Sequence, residues 1–379
     1  YTPAVPSDHT ELAHFNANGF EVKKRSEVLG LITKDTFCFA VAGTHGKTTT
    51  ISILAHLLNE TGTPLVAFLG GISEDFNSNF LLEGTDYAVV EADEYDRSFL
   101  QLSPNVACIT SMDADHLDIY GDEGALKESF NDFANKLKPG GALLVRNGLP
   151  IEGISYGIGD ASDYCIENLQ VEAGSYVFDI KTPKTVHSQV RFNKPGQHNL
   201  LNGLAAFAMA DQVVDRPDGL VKALNTFKGV QRRFSYKIRR PDFVFIDDYA
   251  HLPTEIDAVH QAITEMHPHK KITVVFQPHL YSRTKDFGSD FAASLSKFDE
   301  LLLLDIYPAR EAPIPGVDAS WLLDMVSNKT KQLVSKKELI AALKARKLEV
   351  LVTLGAGDIG LEVEKIKKEL AYENELETD

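Results

Sequence analysis

Residues 37–50, Phe-Cys-Phe-Ala-Val-Ala-Gly-Thr-His-Gly-Lys-Thr-Thr-Thr, decide the fold class. The apolar run 37–42 predicts a buried strand, 43–47 a glycine-bearing turn, and 48–59 a helix. Backbone N–H groups of such a turn converge on phosphate oxygens, and the helix N-terminus adds partial positive charge. Val41 stands where the usual phosphate loop has its first glycine, so the pattern is a variant. The predicted nucleotide-binding residues of this loop are Gly43, Thr44, His45, Gly46, Lys47, Thr48 and Thr49.

Two side chains of this loop have specific predicted partners in a bound nucleotide. Lys47 would reach the β- and γ-phosphates of ATP, and the hydroxyl of Thr48 would join the ligands of Mg²⁺. The alternative is a glycine-rich turn with an incidental lysine. The strand–turn–helix context favours the phosphate loop.

Further Mg²⁺ ligands are predicted at the ends of neighbouring strands. Glu91 ends the next apolar strand, and ligands gather at the carboxyl edge of a parallel sheet. His116 follows the predicted strand 106–111 and is expected at the same edge. Since Mg²⁺ usually takes one or two protein carboxylates, Asp93 and Glu94 are either further ligands or solvated surface.

Strand and helix signals alternate on both sides of the loop. Strands alternating with helices favour an α/β fold with a mostly parallel sheet covered on both faces. Residues 142–194 carry short β-type runs that predict a small antiparallel patch of the same domain. After Pro241 a second α/β series begins, with strands predicted at 243–247, 271–276, 300–306 and 348–354.

Composition excludes several classes of function. The 379 residues include 54 acidic and 38 basic side chains, a net charge of −16, which is unsuited to gripping a nucleic-acid backbone. No apolar run approaches the roughly 18 residues of a membrane span. Cys38, Cys108 and Cys165 are scattered and are expected to be buried thiols of a cytoplasmic protein. We expect a monomer or weak homodimer with no nucleic-acid or membrane partner.

Several motifs in this order resemble the Mur ligases, the ATP-dependent amide ligases that build the peptidoglycan stem peptide. The resemblance covers nearly the whole chain. The matching segments are 43–49, 91–94, 115–118, 196–202, 232–234, 247–251, 276–284 and 307–314.

The resemblance implies a Mur ligase architecture. A central P-loop ATPase with a mostly parallel sheet would be followed by a Rossmann-like α/β domain that carries the amino acid. The implied division is a remnant of an amino-terminal UDP-binding domain and linker at 1–39, a central ATP-binding domain at 40–234, and an amino-acid-binding domain at 235–379.

The resemblance also assigns roles to residues outside the loop. His198 and Asn202 would face adenine, Arg233 would approach the γ-phosphate, and Asp248 is assigned to the ATP ribose. The implied catalytic set is Lys47, Glu91, His116 and Arg233, and the implied Mg²⁺ ligands are Thr48, Glu91 and His116. Tyr249, His251, His279 and Arg283 are assigned to the amino-acid pocket, and the alternative for Tyr249 and His279 is packing at strand ends.

The carboxy-terminal segments resemble most the family member that joins L-alanine to the lactyl carboxylate of UDP-N-acetylmuramate. ATP and Mg²⁺ are then the implied cofactors, and UDP-N-acetylmuramate and L-alanine the implied substrates. Three alternatives stay open: a recycling ligase that adds a stem tripeptide, a folylpolyglutamate synthase-like ligase, and a P-loop regulator without ligase activity.

Two positions depart from the family pattern. Leu252 stands where many members have histidine, and Leu280 stands where arginine is expected. Each change removes a polar group from the implied amino-acid pocket. Recognition of the L-alanine carboxylate is therefore expected to depend more on the two-pronged guanidinium of Arg283.

A second glycine motif, G-x-G-x-x-G at 355–360, lies between a predicted strand and helix. Dinucleotide binding also requires an acidic residue on a following strand about 20 positions later. The given sequence ends at Asp379, with no such strand. We therefore expect a tight turn there and no NAD site.

Overall fold

The computed structural model describes residues 1–2, 5–6, 8–113, 120, 122–172 and 175–372. The chain divides into two compact units, Tyr1–Gly229 and Val230–Asp379. Within the described residues, no helix combines the length and the apolar character needed to cross a bilayer.

One large sheet forms the centre of the first unit. Its strands are β1 (Phe37–Ala42), β2 (Leu65–Ser73), β3 (Ser78–Leu82), β4 (Tyr87–Glu91), β5 (Val106–Ile109), β6 (Ala142–Arg146), β7 (Ile154–Ile158), β8 (Tyr164–Glu172), β9 (Ser175–Lys181) and β10 (Val186–Phe192). Their order is β10-β9-β8-β7-β6-β5-β1-β4-β2-β3. Neighbours from β8 to β2 pair in parallel, whereas β3, β9 and β10 pair antiparallel. The ends of β1, β4 and β5 therefore meet at one edge.

Helices cover this sheet. They are α1 (Thr10–Ala17), α2 (Arg25–Lys34), α3 (Lys47–Glu60), α4 (Glu123–Ala134), α5 (Gln197–Ala210) and α6 (Pro217–Thr226), with a 3₁₀ segment at Tyr95–Gln101. Residues 50–58 of α3 are all buried, because this helix packs against both the sheet and α5. The helix that begins at the phosphate loop is thus fixed on two sides.

The second unit has a six-stranded sheet. Its strands are β11 (Ser235–Arg239), β12 (Val244–Asp248), β13 (Ile272–Phe276), β14 (Glu300–Leu303), β15 (Thr330–Leu333) and β16 (Val350–Leu354). The order is β11-β12-β16-β13-β14-β15, and every pair except β11–β12 is parallel. Residues that follow β12, β13 and β16 therefore share one edge of the sheet.

Both faces of this second sheet are covered. The helices are α7 (Pro253–Met266), α8 (Tyr281–Asp286), α9 (Gly288–Leu295), α10 (Ala319–Met325), α11 (Lys336–Lys344) and α12 (Val363–Tyr372), with a 3₁₀ segment at Asp358–Leu361. The neighbours Val274 and Val275 belong to different apolar clusters, since successive side chains of a strand point to opposite faces. A continuous apolar strand is the expected consequence of such two-sided burial.

The predicted α/β fold with mostly parallel sheets is confirmed. The prediction of an antiparallel patch at 142–194 holds only for its later part. β6 at 142–146 pairs in parallel with β5, and the antiparallel strands continue the main sheet. The expectation of three buried thiols is also confirmed. Burial raises the pKa of the Cys38 and Cys108 thiols to about 12, so both are neutral near pH 7.

Phe99 is the clearest stability probe of the first unit. It is fully buried, stacks on Phe133 with ring centroids 5.1 Å apart, and meets Phe130 edge-on at 5.5 Å. Phe99→Ala should lower the free energy of unfolding by about 3–5 kcal/mol, because a large cavity forms. The free energy of unfolding is measured by urea denaturation. Leu31→Ala, at a 57% exposed helical position, is the control and should change stability by less than about 0.5 kcal/mol. Equal small effects would contradict the described core.

Candidate functional site

The loop between β1 and α3 requires glycine at two positions. Gly43 has φ +135° and Gly46 has φ +85°, both in the region that side chains disfavour. A Cβ at Gly43 would lie 2.1 Å from Thr110 Oγ1, and one at Gly46 would lie 2.5 Å from Asn202 Oδ1. The loop is therefore pressed against the end of β5 on one side and α5 on the other.

Two residues that follow β5 and carry hydroxyl groups, Thr110 and Ser111, hold the loop in place. The hydroxyls of Thr44 and Ser111 are 2.9 Å apart, and the His45 N–H donates to Ser111 Oγ at 2.8 Å. The Thr110 hydroxyl donates to the Ala42 carbonyl at 3.1 Å. Neither Thr110 nor Ser111 was predicted from the sequence to have a role. Their polar character at the end of a buried strand was the available signal.

Thr48 and Glu91 are adjacent, as the predicted Mg²⁺ site requires. The Thr48 hydroxyl lies 3.0 Å and 3.3 Å from the two carboxylate oxygens of Glu91. Gly70 on β2 leaves room for this pair, because a Cβ there would lie 1.9 Å from Glu91 Oε2 and 2.9 Å from Thr48 Oγ1. Hydroxyl and carboxylate oxygens suit a hard cation, so these residues fit Mg²⁺. Gly70 was not recognised from the sequence.

The third predicted ligand, His116, lies outside the described residues. Within the described ranges, no three His, Cys, Asp or Glu side chains cluster as a metal site. The pair Thr48–Glu91 is therefore the part of the predicted Mg²⁺ site that the structure brings together.

Lys47 lies in a buried ion pair. Its Nζ donates to the Gly43 carbonyl at 2.6 Å and to Glu94 Oε1 at 2.8 Å. Glu94 is only 1% exposed, so the interpretation of this residue as solvated surface is wrong, whereas Asp93 is exposed. Burial raises the pKa of Glu94, and the charge of Lys47 opposes that rise. The carboxylate thus faces the lysine that should bind phosphate.

The predicted adenine residues lie on the first turns of α5. His198 is exposed, whereas Asn202 is buried and accepts a hydrogen bond from the Thr50 hydroxyl at 3.3 Å. Asn202 therefore connects α5 to α3 directly beneath Gly46. A contact of either residue with adenine stays a prediction.

The second unit brings together the four residues assigned to the amino-acid pocket. The rings of Tyr249 and His251 are 5.4 Å apart, and those of His251 and His279 are 6.2 Å apart. Arg283 Nη1 lies 3.2 Å from Nδ1 of His279. His279 also stacks on Tyr307, with ring centroids 5.7 Å apart. These side chains follow β12, β13 and β14 or begin α8, so the sheet edge gathers them.

Hydrogen-bond partners assign different tautomers to the two neutral histidines. A guanidinium can only donate, so Nδ1 of His279 accepts from Arg283 and its proton lies on Nε2. A carbonyl can only accept, so Nδ1–H of His251 donates to the Tyr249 carbonyl at 3.1 Å. Nε2 of His251 is therefore unprotonated. Burial is the main cause that lowers the pKa of both rings, which keeps them neutral near pH 7.

Glu311 fixes the start of α8. Its carboxylate accepts the Ser282 N–H at 3.0 Å and the Ser282 hydroxyl. Leu280, one of the two departures from the family pattern, has φ +71°, a strained conformation for leucine. Its N–H donates to the Tyr307 carbonyl at 2.9 Å, which ties it to the segment that carries Glu311. Glu311 and Tyr307 were not predicted individually from the sequence, although the segment 307–314 resembled the family pattern.

Asp248, assigned to the ATP ribose, holds backbone groups in this structure. Its oxygens accept the N–H groups of Ala250 at 2.7 Å and Phe234 at 2.6 Å. Burial raises its pKa to about 6, with Arg233 opposing the rise. Arg233 itself is exposed, and its guanidinium lies 5.3 Å from the ring centre of Tyr249. A ribose contact of Asp248 stays a prediction.

This phosphate-loop unit followed by an α/β unit is the arrangement of an ATP-dependent ligase. Residues 41–210 match the Mur ligase middle domain, and residues 232–357 match the Mur ligase glutamate ligase domain. The chain belongs to the Mur ligase family, as its motifs predicted.

Individual relatives refine the comparison. The chain is 58% identical over 373 residues to UDP-N-acetylmuramate–L-alanine ligase of Christiangramia forsetii, covering 98% of this chain and 82% of that protein. It is similar to the crystal structure of UDP-N-acetylmuramate-alanine ligase MurC from Thermotoga maritima, with a TM-score of 0.84, 27% identity, and coverage of 98% and 84%. A murein peptide ligase from Psychrobacter arcticus gives a TM-score of 0.63 at 19% identity, covering 97% and 85%, which shows the shared fold alone.

Gly70→Ala tests the Thr48–Glu91 site. The added methyl would force the Glu91 carboxylate away from Thr48. We expect the Mg²⁺ concentration for half-maximal ATP turnover to rise, and activity to fall by roughly 10–100-fold, the usual loss for a displaced metal-site partner. Gly219→Ala is the control, since its Cβ would meet only Thr61 Cγ2 at 3.1 Å. An unchanged Mg²⁺ requirement in Gly70→Ala would contradict the assignment.

Proposed function

We propose that this chain catalyses the ATP-dependent joining of L-alanine to the lactyl carboxylate of UDP-N-acetylmuramate, in peptidoglycan precursor synthesis. The observation that carries the proposal is 58% identity, over 98% of the chain, to a ligase of that name. The phosphate loop and the His251–Arg283 pocket supply chemistry that such a reaction needs. Since the reaction consumes ATP, we place it in the cytoplasm.

The chemical problem is that a carboxylate is a poor electrophile. A carboxylate oxygen would attack the γ-phosphorus of ATP, forming an acyl phosphate and releasing ADP. The neutral amine of L-alanine would then attack the acyl carbon, and the C–O bond to phosphate would break. The products are the amide, ADP and phosphate, and the amine loses one proton.

Both steps concentrate negative charge on a few oxygens, so electrostatic stabilisation is the main task of the protein. Lys47 would bind the β- and γ-phosphates, for which it exchanges or shares its contact with Glu94. We propose Arg233 as a second cation at the γ-phosphate. Thr48 and Glu91, with His116, would hold Mg²⁺, which when bound neutralises phosphate charge.

The remaining nucleotide contacts are proposed from the family pattern. His198 and Asn202 would contact adenine, and Asp248 would contact ribose. His198 is exposed, and Asn202 would also stabilise the loop through its position behind Gly46.

The amino-acid pocket would contact the carboxylate of L-alanine at one end and its amine at the other. Arg283, whose position is fixed by His279 and by the Glu311 cap of α8, would pair with the carboxylate of L-alanine. Tyr249 would form one wall. His251 is better suited than His279 to accept the proton from the amine, because its Nε2 is unprotonated.

The pH dependence of the rate separates the two histidines. Burial lowers the pKa of His251 below its usual 6.5, so the ring stays neutral at pH 7 and becomes protonated only at more acidic pH. The turnover rate at saturating substrates should fall as pH drops through that lowered pKa. His251→Gln should lose roughly 100-fold in rate and remove this acidic limb.

His279→Gln is the matched control in the same pocket, because glutamine can still accept from Arg283. It should raise the KM for L-alanine but keep the acidic limb. Burial also lowers the pKa of His260, which lies outside the pocket. His260→Gln should therefore change neither the KM for L-alanine nor the acidic limb. If the acidic limb disappears in His279→Gln and persists in His251→Gln, the proposed roles are reversed.

The direct test of the proposed function is phosphate release from Mg·ATP by the full-length protein. We expect release only when UDP-N-acetylmuramate and L-alanine are both present. Release that ignores L-alanine but responds to a stem tripeptide would instead make this a recycling ligase. ATP hydrolysis that no acceptor stimulates would support a nucleotide-binding regulator and overturn the proposal.

A further inference from the structure

The G-x-G-x-x-G turn at 355–360 has a structural purpose that the proposed reaction does not explain. A Cβ at Gly355 would lie 2.7 Å from the carbonyl oxygen of Gln277, and one at Gly357 would lie 2.5 Å from Gln277 Oε1. A Cβ at Gly360 would lie 2.7 Å from Cζ of Arg232. The three glycines therefore make room for two residues of the same unit: the carbonyl and side chain of Gln277, and the side chain of Arg232.

Gln277 fastens this turn to the end of β13. Its side-chain oxygen accepts the Ile359 N–H at 2.8 Å, and its side-chain nitrogen donates to Asp358 at 2.8 Å. Lys336 forms an ion pair with the other carboxylate oxygen of Asp358. The turn is thus a rigid surface against which Arg232 can be fixed.

The guanidinium of Arg232 is held from three directions. It donates to the Gly355 carbonyl, and its Nε lies 3.6 Å from Asp247 Oδ2. Its Cζ also lies 5.0 Å from the ring centre of Tyr249. Asp247 is 1% exposed and is itself fixed by the Thr353 hydroxyl at 2.8 Å. These contacts hold the guanidinium of Arg232 against the second unit.

The backbone around Arg232 is strained and is fixed at both sides. Arg232 has φ +61° and Phe234 has φ +47°, a conformation that few residues other than glycine adopt. The Arg232 carbonyl accepts the Tyr249 N–H at 2.7 Å, and the Phe234 N–H donates to Asp248 at 2.6 Å. Such strain persists only where surrounding contacts determine it, and it concentrates at functional sites.

The result is that two adjacent arginines have opposite environments. Arg232 points into the unit with a 26% exposed side chain, whereas Arg233 is exposed. Both guanidinium groups lie near the ring of Tyr249, at 5.0 Å and 5.3 Å from its centre. Fixing Arg232 therefore determines where the next side chain, Arg233, and the ring of Tyr249 can lie.

We propose that Arg232 is a positioning residue: seated between Asp247 and the Gly355–Gly360 turn, it fixes the strained backbone from which Arg233 projects. The inference rests on the proposed function, in which Arg233 stabilises charge on the γ-phosphate. Phosphoryl transfer depends on cations held in place, and small misplacements of a catalytic group cost large factors in rate.

A double-mutant cycle tests whether Arg232 acts through Arg233. Arg232→Ala should lower kcat/KM for ATP by roughly 10–100-fold, the loss typical of a misplaced catalytic group. In an Arg233→Ala background, the same change should cost less than about 3-fold, because the group that it positions is already gone. If kcat/KM of the double variant falls by the product of the two single losses, the two residues act independently and the proposal is overturned.

Gly360→Ala provides a second variant that keeps both charges. Its methyl would displace the guanidinium of Arg232, so it should reproduce the loss seen in Arg232→Ala and add little to that variant. Gly219→Ala is the matched control and should keep full activity and the same thermal midpoint. If Arg232→Ala lowers the thermal midpoint strongly, Gly360→Ala and Arg232→Lys carry the test, since lysine keeps the charge but lacks the fork.

A separate readout distinguishes failure of this inference from failure of the proposed function. The dissociation constant of Mg·ATP is measured by calorimetry, without acceptors, for the wild type and for the same single and double variants. If the wild type binds ATP but shows no L-alanine-dependent turnover, the proposed function fails, and the coupling in ATP affinity still decides the role of Arg232. Additive changes in ATP affinity would then count against it.

Discussion

The absence of side chains at positions 43 and 46 is the constraint on which the first unit depends. Only glycine allows the chain to leave β1, turn tightly against Thr110 and Asn202, and begin α3. The buried helix α3 and the hydroxyls after β5 then hold that turn in place. A phosphate group bound there would meet the N-terminus of α3, where backbone N–H groups and the helix dipole favour negative charge.

Positive charge is placed at specific points of a chain whose net charge is strongly negative. The chain carries a net charge of −16, yet the proposed reaction handles two anionic substrates and concentrates further negative charge between them. Lys47 beside Gly43 and Arg283 beside His279 supply cations at specific points. Glu94 keeps Lys47 paired and largely shielded from water, so a buried lysine is not left without a counter-charge.

The sequence predicted what is local or repeats along the chain. Strand β1 has the predicted bounds, and the following loop ends one residue earlier than predicted because α3 begins at Lys47. The family resemblance, not a local pattern, assigned four residues to the amino-acid pocket. The structure brings them together because each follows a strand of one sheet edge or begins α8, and their role stays a prediction.

What the sequence did not show depends on pairs that are far apart along the chain. Glu94 is buried with a counter-charge from Lys47, 47 positions earlier in the chain, and Gly70 makes room for Glu91 and Thr48. The 355–360 turn was identified as a turn, but its partner Arg232 lies more than a hundred residues earlier. No periodicity or local motif encodes such pairings.

In the proposed reaction, ATP activates the carboxylate of the acceptor as an acyl phosphate. The most direct measurement uses UDP-N-acetylmuramate with ¹⁸O in its lactyl carboxylate, followed by mass analysis of the phosphate released in the presence of L-alanine. The account predicts one ¹⁸O atom in each phosphate released, because the carboxylate oxygen that attacks the γ-phosphorus leaves with it. Amide product formed together with unlabelled phosphate would contradict the account.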